Sequence, residues 1–147
     1  MKLKGPWNAG AVERFLAESV IPARIGVLTT NGVPLVLSLW FVHRDGAIWC
    51  ACNKKARVIE LLARNPRCGF EIAAETPPYR GVRGQGVAQL DIPGGAGVLA
   101  ELLERYRIPG HSRLATMLLE EAVNEVAIRI EPEWMTSWDF SARMSDL

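Results

Sequence analysis

Residues 49–67 read WCACNKKARVIELLARNPR and contain the change from a strand to a helix. From Val58 onward, the apolar residues recur at the i, i+3 and i+4 spacing of one helix face. Asn53 is a candidate N-cap, and Pro66 lacks the N–H that would continue the helix. The pattern therefore predicts a strand that leads into a short helix over 54–65.

The first turn of this predicted helix carries three cations, Lys54, Lys55 and Arg57. A helix N-terminus already bears about half a positive charge and four unpaired N–H groups, so cationic side chains repel it. A bound phosphate would reverse that sign, because the dipole, the N–H groups and the side chains would all attract it. Two interpretations stay open with equal weight: a phosphate site, or solvated surface charges that each cost roughly a few tenths of a kcal/mol.

Before this stretch, the sequence predicts a β-meander. Residues 24–30 read as a strand, and Asn31-Gly32 is typical of a hairpin turn. The next strand, 33–43, is apolar almost throughout, which predicts that both of its faces are covered. Asp45-Gly46 then forms a second turn ahead of a strand over 47–52.

After this stretch, strands and short helices continue to the end of the chain. The pattern predicts further strands over 68–74, 79–92 and 123–130, the last of which runs into an aromatic segment over 134–140. It also predicts helices over 94–107 and 112–119, the second capped by Ser112, besides an amphipathic helix that Asn8 caps near the start. About six strands with short turns and three or four helices indicate an antiparallel barrel of the α+β class. We expect a single domain over 1–147.

The composition excludes several classes of partner. Of 147 residues, 49% are hydrophobic and 22% are charged, and the formal net charge is +1. That balance gives no field for nucleic acid or an anionic membrane, and it favours self-association. No apolar run approaches the roughly 20 residues of a membrane span, and the N-terminus lacks a signal segment, so we expect a cytoplasmic protein.

The three cysteines predict neither a disulfide scaffold nor a metal site. Cys50 and Cys52 share a strand face, but the remaining candidate ligands, Cys68 and two histidines, are scattered along the sequence. We interpret the cysteines as reduced, small apolar residues and expect no bound metal.

Two further features are candidates for ligand contact. In Arg83-Gly84-Gln85-Gly86, the paired glycines would let a flat ring approach the strand, or they mark a bend or bulge of a barrel, which we favour. Most of the five tryptophans are expected in core or dimer packing, with Trp138 as the candidate wall for a stacked aromatic cofactor.

Together, the order of these features resembles the pyridoxamine 5′-phosphate oxidase-like family, the FMN-binding split barrels. The similarity spans about Pro22 to Phe140, and residues 49–67 are its strongest part. It implies a mainly β, α+β fold: an antiparallel split β-barrel of Greek-key character with short peripheral helices. It also implies a homodimer with two flavin sites at the subunit interface.

The resemblance implies a set of cofactor-binding residues. Lys54, Lys55 and Arg57 would hold the phosphate, and Arg83, Gln85 or Trp138 would reach the site from the other subunit. The ring and ribityl chain would be lined by Ser38, Leu39, Trp40, Trp49, Cys50, Ala51 and Cys52.

The strand 35–40 lacks the arginine and lysine of true pyridoxamine phosphate oxidases, so we do not expect vitamin B6 oxidation. The similarity implies an FMN-dependent oxidoreductase of unknown small-molecule substrate, whose cofactor supplies the redox chemistry without a dedicated catalytic side chain. Two alternatives stay open: an F420 (deazaflavin)-dependent reductase of the same fold, and a non-catalytic module that holds flavin or haem.

Overall fold

The structure, a computed structural model, describes residues 1–147. The strands are β1 (Lys2–Lys4), β2 (Ala23–Leu28), β3 (Pro34–Leu39), β4 (Val42–Arg44), β5 (Ala47–Asn53), β6 (Arg67–Ala73), β7 (Arg80–Asp91) and β8 (Glu125–Asp139). The helices are α1 (Ala9–Glu18), α2 (Arg57–Arg64), α3 (Gly95–Arg105) and α4 (Arg113–Glu120), with a 3₁₀ turn at Ala122–Asn124 before β8. None of these helices is long and apolar enough to cross a membrane.

The eight strands form one sheet, in which seven follow the order β3-β2-β6-β7-β8-β5-β4 and β1 pairs with β8 off this path. These neighbours are antiparallel, whereas β1 runs parallel to the C-terminal half of β8. The 15 residues of β8 pair with β5 through their first half and with β1 through their second. One curled strand therefore joins the two halves of the sheet, which confirms the predicted mainly antiparallel α+β fold.

The concave face of the sheet holds a core of 21 buried residues, whose largest fully buried members include Phe41, Leu16 and Ile25. Side chains alternate across β5, because successive residues of a strand point to opposite faces. Cys50 points into this core, whereas Trp49 packs on a second, smaller cluster beneath α3.

The predicted strand 33–43 is wrong in its extent. It breaks after Leu39, because the fully buried Phe41 turns inward and its N–H donates to the Tyr106 hydroxyl at 3.1 Å. Within one chain the outer face of β3 is open, with Val36 67% exposed, so cover on both faces stays a prediction. By contrast, Asp45-Gly46 forms the predicted turn, with φ angles of 53° and 70°.

The predicted start of α2 is also wrong. The helix begins at Arg57 with Ala56 as its N-cap, so Lys54 and Lys55 precede the first turn. Asn53 does not cap the helix, because its side-chain oxygen accepts the N–H of Lys55 at 3.0 Å and so forms an Asx turn.

The chain termini also differ from the prediction. The strand over 123–130 and the aromatic segment after it form one strand, β8, and the three-residue β1 was missed because it is too short to show a period.

Candidate cofactor site

The residues 54–57, here called the basic turn, connect β5 to α2. Lys54, Lys55 and Arg57 are exposed, and none of them belongs to an ion pair within the chain. The N-cap residue Ala56 offers no side-chain acceptor to the first N–H groups of α2. The turn therefore presents three cations outside any ion pair beside a helix N-terminus without a side-chain cap, and the one acidic residue of the first turn, Glu60, pairs with Arg64 at 3.9 Å. This arrangement favours an anion.

An apolar cavity of about 270 Å³ lies between the β3–β5 side of the sheet and helices α3 and α4. Four residues predicted from the sequence line it together: Ser38, Leu39, Trp40 and Ala51. Leu99, Leu102 and Leu118 form its helical wall, and Glu125 lines it as well.

The two tryptophans predicted to line a cofactor ring already pack against other side chains. Trp40 stacks on Tyr106, with ring centroids 5.1 Å apart and planes 17° apart. The guanidinium of Arg44 lies 4.2 Å above the Trp49 ring, and the Trp49 Nε1–H donates to the Arg44 carbonyl at 3.3 Å. One face of each ring is therefore occupied within the chain.

The three cysteine side chains are free thiols in or against the core. Cys50 is fully buried, so only its backbone is left to line an external ligand. Burial raises the pKa of Cys68 to about 11 and that of Cys52 to about 12. The thiols accordingly stay protonated, and no cluster of residues suited to a metal ion is present.

Arg83, Gln85 and Trp138 lie together on the outer face of β7 and β8. The Arg83 guanidinium lies 4.3 Å above the Trp138 ring, and the neighbouring Trp134 donates its Nε1–H to Gln85 Oε1 at 3.1 Å. This cluster and the basic turn lie at opposite ends of β8. The Lys54 N–H donates to the Asn124 carbonyl just before β8 begins, whereas Trp138 is the penultimate residue of that strand.

Gly84 and Gly86 have a packing explanation. A Cβ at Gly84 would collide with the Trp134 carbonyl oxygen and approach Phe70 Cζ to 2.6 Å, and one at Gly86 would collide with the Glu131 carbonyl. The register of β7 against β8 shifts between Gln85 and Gly86, which marks a bulge. Close backbone packing thus accounts for both glycines, as the favoured interpretation predicted.

No family model and no curated protein matches this sequence, whereas many solved structures match its fold. A conserved hypothetical protein from Mycobacterium tuberculosis has a TM-score of 0.73 at 23% identity, over 91% of this chain and 86% of that one. An F420 reductase has a TM-score of 0.71 at 18% identity, over 88% and 97%. A protein assigned as a pyridoxamine 5′-phosphate oxidase from Listeria innocua has a TM-score of 0.62 at 17% identity, over 83% and 91%.

This chain has the split-barrel fold of these solved structures. This agrees with the resemblance read from the sequence. In this split barrel, the basic turn and the apolar cavity lie near the first half of β8, where that strand pairs with β5. The Arg83–Trp138 cluster lies near the C-terminal end of β8.

Glu125, at the first position of β8, was not predicted from the sequence as a site residue. This residue is 7% exposed, and its side chain makes no hydrogen bond within the split barrel, with Oε2 fully buried. Burial raises the pKa of its carboxyl, and the charge of Glu121 adds to that rise. A signal was available, because alternation places Glu125 on the same face as the buried Ala127.

We expect Glu125→Gln to stabilise the split barrel near neutral pH by about 1 kcal/mol, or about 3 °C in Tm. The pKa of Glu125 is higher in the folded protein than in the unfolded chain. The wild type therefore loses stability as the pH rises from the unfolded-state pKa through the folded-state pKa. Below about pH 4, where both states hold the proton, the difference should vanish. Thermal unfolding of both proteins across this pH range measures the difference in Tm.

Glu104→Gln, at an exposed position of α3, is the control and should leave Tm unchanged. Equal Tm values for Glu125→Gln and wild type near neutral pH would refute the prediction.

Proposed function

We propose that this chain binds FMN and works as a flavin-dependent oxidoreductase in the form of a homodimer. The observation that carries the proposal is the unpaired basic turn at the start of α2, on the same strand, β5, whose Ala51 lines the apolar cavity. A phosphate group and an apolar ring system are the two parts of FMN that such a pair of features suits. The phosphate is assigned to Lys54, Lys55 and Arg57.

The ring is assigned to the wall that Ser38, Leu39, Trp40 and Ala51 form. The backbone of the strand from Trp49 to Cys52 contributes the rest of this wall. FMN supplies the hydride chemistry when bound, and the chain binds and orients it and keeps water from it.

The homodimer proposal rests on the separation between the two parts of the site. Arg83, Gln85 and Trp138 are assigned to the cofactor bound by the partner copy, since Trp138 lies at the opposite end of β8 from the basic turn of its own chain. In a symmetric dimer, each copy would contribute one part to the site of the other.

The outer face of the sheet offers a surface for that second copy. Gly26 of β2 and Gly69 of β6 are cross-strand partners, and a Cβ on either would meet no atom closer than 3.6 Å. Packing within the chain therefore does not require glycine at either position. They line a shallow cavity of about 340 Å³, beside the exposed side chains of Leu28 and Val36. An open apolar face of this kind suits burial against another protein surface.

We expect Val36→Asp to convert the dimer into a monomer, because it would place a charge in the apolar interface. Sedimentation velocity measures the change in mass, and FMN affinity should fall with it. Ile92→Asp is a matched control, since Val36 and Ile92 are both 67% exposed and Ile92 lies in the turn after β7. A dimer that persists in Val36→Asp, or dissociates equally in Ile92→Asp, would place the interface elsewhere.

An F420-dependent reductase is the second candidate. The F420 reductase with the same fold favours it, and Arg67 lines the open cavity on the outer face, where an extended anionic tail needs a cation. This alternative uses the same basic turn and the same ring wall.

Absorption spectroscopy tests the proposal. Purified protein titrated with FMN, and in parallel with F420, should bind FMN more tightly, with a shift of the flavin absorption bands. Bleaching of the bound flavin by NADH or NADPH, followed by reoxidation with an electron acceptor, supports an oxidoreductase. Tighter binding of F420 supports the second candidate. Flavin or haem that binds but is never reduced supports a non-catalytic module, and no binding of either flavin rejects the proposal.

A further inference from the structure

A second cavity adjoins the apolar one and has the opposite character. It measures about 270 Å³ and is lined by Asn53, Met117, Leu118, Glu120, Glu121 and Glu125. Leu118 and Glu125 line both cavities, so the acidic cavity opens beside the apolar one. No lysine, arginine or histidine lines either cavity. We call the two spaces together the acidic channel.

Glu125 provides an independent sign of a ligand in this channel. Strand alternation directs its side chain to the same side as Ala127, toward α3 and the channel. The carboxyl is 7% exposed, accepts no hydrogen bond from the protein and has one fully buried oxygen. A buried carboxyl without a donor is unfavourable, so a ligand that donates a hydrogen bond there would stabilise the protein.

The chemistry of the lining specifies that ligand. Glu121 is fixed by the Asn53 side chain, whose Nδ2 donates to Glu121 Oε2 at 3.4 Å, and its charge opposes ionisation of Glu125. A cation between the two carboxylates removes that repulsion. No group of three or more metal-ligating side chains is present, which disfavours a bare metal ion. The leucine wall of the apolar end suits a hydrocarbon body, and the lack of cations disfavours a phosphorylated one.

We propose that the acidic channel binds an organic amine, with its ammonium group between Glu125 and Glu121 and its apolar body along Leu118 toward Leu99 and Leu102. This site goes beyond the proposed flavin chemistry, and its acidic end, lined by Glu120 and Glu121, lies outside the wall assigned to the flavin ring. Its apolar end is the cavity that Ser38, Trp40 and Ala51 line, so the amine body and the flavin ring would compete for that space.

Calorimetric titration with 2-phenylethylamine tests the proposal, with 2-phenylethanol as a neutral ligand of nearly the same shape. We expect the amine to bind FMN-free wild type at least about tenfold more tightly than the alcohol near neutral pH. Glu125→Gln should abolish this preference, because it keeps the shape and removes the charge. Glu104→Gln, outside the channel, should retain it.

A second variant, Glu121→Gln, tests the proposal even if Glu125→Gln fails to fold. Glu121→Gln, at an exposed position, should reduce the preference about threefold and leave the protein folded. Equal affinities for the amine and the alcohol in wild type would overturn the proposal, as would an amine preference that survives in both variants. The flavin proposal is tested separately, because Lys55→Ala/Arg57→Ala should retain amine binding.

Discussion

The double variant Lys55→Ala/Arg57→Ala should bind FMN about 100-fold more weakly than wild type. Charge-assisted hydrogen bonds to a phosphate contribute about 1.5 kcal/mol each at the lower end of their range, and two such losses correspond to about 100-fold in Kd. Neither side chain belongs to an ion pair within the chain, so their removal leaves no carboxylate unpaired. The measurement is a flavin fluorescence titration of each purified protein.

A matched control separates this local effect from net charge. Arg14→Ala/Arg143→Ala also removes two exposed cations, one on α1 and one near the C-terminus, and should change Kd less than about twofold. Riboflavin, which lacks the phosphate, should bind wild type and the Lys55/Arg57 double variant alike. Unchanged FMN affinity in that variant would reject the phosphate assignment and leave the basic turn as solvated surface charge.

Local patterns in the sequence predicted most of the fold. The caps at Asn8 and Ser112 form the expected hydrogen bonds, with the N–H groups of Ala11 and Ala115, because a capping side chain acts over three residues. The same local reasoning failed at Asn53, where a side chain that could cap a helix instead closes an Asx turn. Both arrangements satisfy the same donor and acceptor groups, and the sequence alone does not rank them.

Long-range packing limited the prediction of the site. Cys50 and Trp49 are adjacent in sequence, but Cys50 packs in the barrel core and Trp49 packs on the cluster beneath α3. Glu125 was missed for a related reason. Its burial depends on α3 and α4 lying over the end of β8, a contact between segments that share no local pattern.

Alanine substitutions at Gly95 and Gly97, two positions of the same helix, should change the free energy of unfolding in opposite directions. Both lie in the first turn of α3, where alanine is the better helix former by about 1 kcal/mol. A Cβ at Gly95 would overlap the carbonyl of Glu125, however, whereas one at Gly97 would meet nothing within 4 Å. We expect Gly97→Ala to raise the free energy of unfolding by up to about 1 kcal/mol, and Gly95→Ala to lower it by about 3 kcal/mol.

The collision at Gly95 involves backbone, so no side-chain rotation relieves it, and α3 has to move away from the start of β8. That movement would open the smaller core cluster of Val98, Leu102 and Ala127 and change the position of Glu125 in the acidic channel. Urea unfolding of wild type and the two variants measures the effect. Because helix propensity alone predicts stabilisation in both variants, a stabilised Gly95→Ala would show that the close approach of α3 to β8 does not constrain this fold.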